Sequence, residues 1–132
     1  MEIKPHYVTF EQAKLLKEKG FDLKLFTYYK RTGFLFNQSP NYEQNPNNWN
    51  GSSYIDCYSA PEYWQVIEWL LIVHNIWIDV SYDFIVFDIT IVHPDREPIY
   101  LLSTVGGATT YLFTTLEEAY SGAFDYILNN LI

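Results

Sequence analysis

Two carboxylates on neighbouring predicted strands are the nearest approach to a chemical site in this sequence. Residues 76–82 and 85–92 each alternate apolar and other side chains, the pattern of half-buried strands. A hairpin turning at Asp83-Phe84 sets Ile76 against Ile91, Ile78 against Ile89 and Val80 against Phe87. The other face then carries Trp77 opposite Thr90, Asp79 opposite Asp88 and Ser81 opposite Val86. Facing carboxylates repel each other. They become useful where a cation, a basic partner group or a shared proton relieves the repulsion. They are inert if the register slips by two, or if both sit in water at a cost of roughly 0.2–0.5 kcal/mol. Asp83-Phe84 is also a poor two-residue turn, which weakens the register.

Other reactive residues form no set. His6, His74 and His93 are far apart, and Cys57 is the single cysteine. A structural zinc site needs about four Cys or His ligands. Cys57 and His74 can be paired on paper as nucleophile and base, but no signature surrounds Cys57, and a lone cysteine behaves as a small hydrophobe. Val105-Gly106-Gly107-Ala108-Thr109-Thr110 has no following Lys and leads into a strand, so it reads as a turn and not as a phosphate cradle. No catalytic residue, metal or cofactor is expected, and the chain reads as a non-enzyme.

Charge narrows the partners. Residues 1–31 hold seven bases against four acids, a net of +3, while residues 32–132 hold twelve acids and one base, Arg96, a net of −11. A nucleic-acid backbone calls for a clustered basic footprint, so direct nucleic-acid binding is not expected. Basic or apolar partners fit better, although net charge also serves solubility. Met1–Phe10 lacks a signal-type apolar segment. The longest apolar run, Trp69–Val73, is far short of the ~20 residues of a membrane span. A soluble, cytoplasmic protein is expected, with no membrane association.

The 132 residues read as a single α+β domain. Three capping boxes mark its helices: Thr9–Gln12, Ser59–Glu62 and Thr115–Glu118. The first helix buries Phe10, Ala13, Leu15 and Leu16 and ends at Gly20, with Phe21 folding back on Leu16. Phe21–Lys30 reads as a strand, turning at Arg31-Thr32-Gly33 into Phe34–Phe36. Residues 37–53 form a long Asn-rich loop. Tyr42 and Trp49 within it either tack the loop to the body or are offered to a partner; tacking is favoured because burying aromatics orders a loop. Residues 54–58 suit a short strand.

The second helix presents Tyr63, Val66, Ile67, Leu70, Leu71 and Val73 to a core, with Asn75 as its left-handed terminus and Ile76 packing back on Leu71. Strands at 76–82, 85–92 and 99–105 follow, then a short extended piece at Tyr111–Phe113. The last helix carries Leu116, Ala119, Tyr120, Ala123, Phe124, Ile127 and Leu131 on one stripe. The order is αββ-α-βββ-α, a mostly antiparallel sheet with helices packed on one face.

Three segments carry a resemblance. Thr9-Phe10-Glu11-Gln12-Ala13, the run from Ser59-Ala60-Pro61 through Trp69-Leu70 to His74-Asn75-Ile76, and Tyr111…Thr115…Glu118-Ala119 resemble short uncharacterised proteins of gut Bacteroidetes and their phages or prophages. The resemblance spans most of the chain and rests mainly on caps and core positions. It implies a phage or mobile-element accessory protein acting in a bacterial cytoplasm. That group has no established activity, so no functional residue carries over. The Asn-rich stretch 37–53 stands apart from the resemblance.

Aromatic residues make up 19% of the chain. Trp49, Trp64, Trp69 and Trp77 exceed what the helix stripes require, and a sheet with helices on one side leaves its other face to cover. The leading expectation is a protein-interaction module, self-associating as a homodimer, whose surface holds Trp77, Asp79, Asp88 and Thr90, with Trp49 from the loop. One alternative is an acidic mimic of nucleic acid that blocks a DNA-binding protein. Another is a small-molecule or cation binder using Asp79 and Asp88.

Overall fold

The computed structural model describes residues 1–37, 45–82, 84, 86–101, 103–105, 108–110 and 113–132. Tyr42, the Asp83 half of the expected turn, Ile85, the Gly106-Gly107 turn and Tyr111 lie outside the described residues. The fold is α+β with antiparallel pairing. Its elements are α1 (Phe10–Glu18), β1 (Thr27–Lys30), β2 (Leu35–Asn37), β3 (Cys57–Ser59), α2 (Tyr63–His74), β4 (Trp77–Tyr82), β5 (Phe87–His93), β6 (Arg96–Leu101), β7 (Ser103–Val105), β8 (Ala108–Thr110) and α3 (Leu116–Asn130). The strands form separate sheets, β2-β1-β3, β4-β5-β6 and β7-β8, where one sheet was expected. Contacts gather into two compact units, residues 1–65 with 132 and residues 66–131. Short hairpin connections pair neighbouring strands locally, and α2 interrupts the run between β3 and β4.

In the first unit, α1 starts on the expected capping box. The Gln12 N–H donates to Thr9 Oγ1 at 3.1 Å, and the Thr9 N–H donates back to Gln12 Oε1 at 3.0 Å. The helix stops at Gly20, whose φ of 86° suits glycine. The Phe21 N–H then reaches the Leu16 carbonyl at 3.0 Å, closing a Schellman motif. That closure commits the start of the expected 21–30 strand to a helix cap. Leu25 forms only an isolated bridge with Asn47, and regular pairing begins at Thr27. Gly33, at φ 87°, turns β1 into β2.

Both faces of the β2-β1-β3 sheet are covered over β1 and β3, while Leu35 and Phe36 of β2 stay exposed. On one, Phe10 of α1 packs its ring against Tyr29 and Tyr58, and Lys17 lies over Tyr58 while donating to the carbonyls of Tyr54 and Cys57. On the other, Trp49 stacks on Tyr28 with centroids 4.1 Å apart. Its indole N–H donates to the Leu25 carbonyl at 2.8 Å, and the residue is only 5% exposed. The Asn50 amide ties Phe21 to Ser59. Trp49 is therefore taken off the proposed contact surface: it tacks residues 45–53 to the sheet.

Helix α2 begins three residues after the expected start. Ser59 lies in β3, and the reach-back bond of a capping box runs instead from the Glu62 N–H to Gln65 Oε1 at 2.8 Å. Its buried stripe is Tyr63, Val66, Trp69 and Leu70, while Leu71, Ile72 and Val73 are exposed. Apolar residues lie all round this helix, so periodicity alone did not select the buried side. Asn75 is left-handed, at φ 57°, as expected. The Ile76 N–H bonds to the Leu70 carbonyl, so the contact expected at Leu71 moves back one residue.

In the second unit, α3 packs on β4 and β5. Ala119, Ala123, Phe124, Ile127 and Leu128 are buried on the helix, and Ile78, Ile89, Ile91 and Leu101 on the sheet. Leu116 and Leu131, expected on the stripe, are exposed and half-buried, as the ends of the helix run past the sheet. Thr115 accepts from the Glu118 N–H, but the Glu118 carboxylate turns to Thr114 instead of completing the box. A Cβ at Gly122 would lie 2.7 Å from the Phe113 ring.

Three outcomes follow from this packing. Trp49→Ala removes a buried indole and one of the two donors to the Leu25 carbonyl, which keeps the Asn47 N–H; urea unfolding should show a loss of about 3–5 kcal/mol. Gly122→Ala gains ~1 kcal/mol of helix propensity but must displace Phe113, at about 1–3 kcal/mol; thermal unfolding should register a net loss. His74 has a buried Nε2 with no hydrogen-bond partner among the described residues and packs edge-on against Trp69. Burial holds its pKa below the ordinary 6.5. The unfolded chain therefore binds the proton more readily, and stability present above pH 6.5 declines as pH falls through the folded-state pKa. His74→Phe should flatten that decline in stability measured against pH.

Candidate protein-interaction surface

The pleat of β4-β5-β6 sends alternate residues to opposite faces. One face carries the buried residues under α3. The other carries Trp77, Asp79 and Ser81 from β4, Asp88, Thr90 and Val92 from β5, and Tyr100 from β6. Four of the five expected surface residues, Trp77, Asp79, Asp88 and Thr90, thus share one face. Trp77 is 45% exposed and Tyr100 61% exposed. Asp79, Ser81 and Val92 are also exposed, while Asp88 and Thr90 are half-buried.

The register corrects the expected pairing by two residues. Trp77 faces Val92, Asp79 faces Thr90, Ser81 faces Asp88, and Tyr82 faces Phe87. Asp79 and Asp88 are therefore diagonal neighbours. Such positions lie roughly 7–8 Å apart, where two charges in water repel by about 0.6 kcal/mol. A proton is not shared over that distance. Ile78 now meets Ile91 and Val80 meets Ile89, so apolar residues still face apolar residues. The connection is residues 83–86, four residues long, in place of the unfavourable two-residue turn. Within it Phe84 is held at φ 76° and is exposed.

Two members of the surface were not singled out from the sequence. Val92 was readable, because it continues the Asp88-Thr90 alternation. Tyr100 was not, because its place depends on pairing with Thr90 across β5 and β6, and that ladder is irregular between Ile91 and His93. The Tyr120 phenol on α3 is pushed above its ordinary value, by burial first and then by the negative charge of Asp79.

The other candidate groups stay apart. Among the described residues no group of three or more His, Cys, Asp and Glu could hold a metal ion. His93 accepts the Asp95 N–H through Nδ1, within the turn between β5 and β6. Cys57 is a half-buried residue of β3 whose carbonyl accepts from Lys17. No described helix is long and apolar enough to cross a membrane. The chain matches no family model, no curated protein and no solved structure.

Proposed function

We propose that this chain is a non-catalytic interaction protein, an accessory protein of the phage or mobile-element kind its sequence resembles, and that it binds a basic protein surface through the outer face of β4-β5-β6. The observation that supports this reading is one exposed sheet face that carries Trp77, Val92 and Tyr100 together with Asp79 and Asp88. Flat aromatic area supplies binding energy at low entropic cost, and Trp and Tyr are enriched at contact centres. Carboxylates beside aromatic rings suit Lys and Arg, which gain ion pairing and cation–π contact together.

Self-association through the same face is the second reading, favoured by its apolar residues. Charge opposes it: residues 66–131 contain Arg96 as their only Lys or Arg, so a second copy brings acids to acids.

Light scattering on a size-exclusion column at low and high salt separates the two. A monomer at both salts, with an Arg-rich protein captured at low salt and lost on Trp77→Ala or on Asp79→Asn with Asp88→Asn, is the expected result. A salt-resistant dimer broken by Trp77→Asp assigns self-association instead. Monomer behaviour with capture unchanged by these substitutions moves the contact surface elsewhere.

A further inference from the structure

A cleft of about 310 Å³ opens within the first unit. Phe26 gives it apolar area, and Tyr7, Lys24, Glu62 and Gln65 bring polar groups to it. This volume is at the lower end of small-molecule sites, and the mixed lining suits a polar ligand.

The polar groups are distinguished by what they already bond. Glu62 Oε2 accepts the Trp64 indole N–H at 2.8 Å, which leaves Oε1 as acceptor. Gln65 Oε1 accepts the Glu62 N–H, which leaves its NH₂ as donor. Lys24 has no ion-pair partner among the described residues. Burial and the Glu62 charge hold the Tyr7 phenol above its ordinary value, so it stays a hydroxyl donor. Among the described residues the cleft therefore offers one unpaired cation, one carboxylate oxygen and neutral donors. A ligand that carries both signs of charge gains both pairings, and a singly charged one gains only one.

We propose that this cleft binds a small zwitterion of free-amino-acid size, its carboxylate on Lys24 and Gln65, its ammonium on Glu62, and its side chain against Phe26. Lys24 is exposed, and the Glu62 backbone bond survives a change to Gln, so both variants keep the fold.

The test is a nitrogen–proton NMR titration of the full chain with a pool of the proteinogenic amino acids, then with its members singly. Saturable shifts are expected at the amides of residues 24–27 and 62–65. Lys24→Gln and Glu62→Gln should each weaken binding about tenfold, and the exposed control Lys4→Gln should not. N-acetylating the ligand should cost as much as Glu62→Gln, with no further loss when the two are combined. An absence of saturable shifts at these amides, or affinity unchanged in both variants, overturns the proposal.

Discussion

A three-stranded sheet has two faces, and its pleat sends half of its side chains to each. How each face is covered organises much of this chain. The β2-β1-β3 sheet is covered on both faces of β1 and β3, by Phe10 and Lys17 of α1 on the Tyr29–Tyr58 face and by Trp49 on the Tyr28 face, while β2 stays exposed. The β4-β5-β6 sheet has α3 on the Ile78, Ile89 and Ile91 face. Its other face keeps an exposed Trp and Tyr among carboxylates. The contrast matters because both sheets have similar strands. Trp49 earns its position through area, stacking and a hydrogen bond at once, and no comparable side chain lies over Trp77 among the described residues.

Lys17 is held by carbonyls and a ring instead of by a carboxylate. Its ammonium is shared between two carbonyls and an aromatic face, which keeps a half-buried cation solvated by the protein itself. The same contacts fix residues 54–58 against α1. The Lys14–Glu11 pair on that helix, at 2.9 Å, is one turn long and exposed on its acid side, so it contributes little. Stability here rests on aromatic packing and caps more than on charge.

The acidic second unit gives its exposed face a preference in partners. Asp79 and Asp88 sit near enough to reinforce each other's potential and far enough apart to remain separate charges. A cationic side chain placed between them meets attraction from both. The cleft in the first unit has the opposite character, with one charge of each sign and small dimensions. The two surfaces therefore call for different chemistry: a basic macromolecular surface for one, a small zwitterion for the other.

The sequence by itself determined the local features. Thr9 with Gln12, Gly20 with Phe21, and Asn75 act through residues three to six positions apart, so both ends of α1 and the end of α2 were legible; the start of α2 was not, because β-pairing draws Ser59 into β3. The alternation in residues 76–92 was legible too, and it placed Trp77, Asp79, Asp88 and Thr90 on a common face. It did not set the register, because a slip of two residues keeps every apolar side chain on the same face. Only the pairing of β4 with β5 in the folded chain set Asp79 against Thr90. Tertiary structure also chose the buried side of α2, whose apolar residues run all round, and drew Trp49 inward while leaving Trp77 exposed. Those choices depend on which surfaces meet across long stretches of chain, and one-dimensional spacing carries no such information.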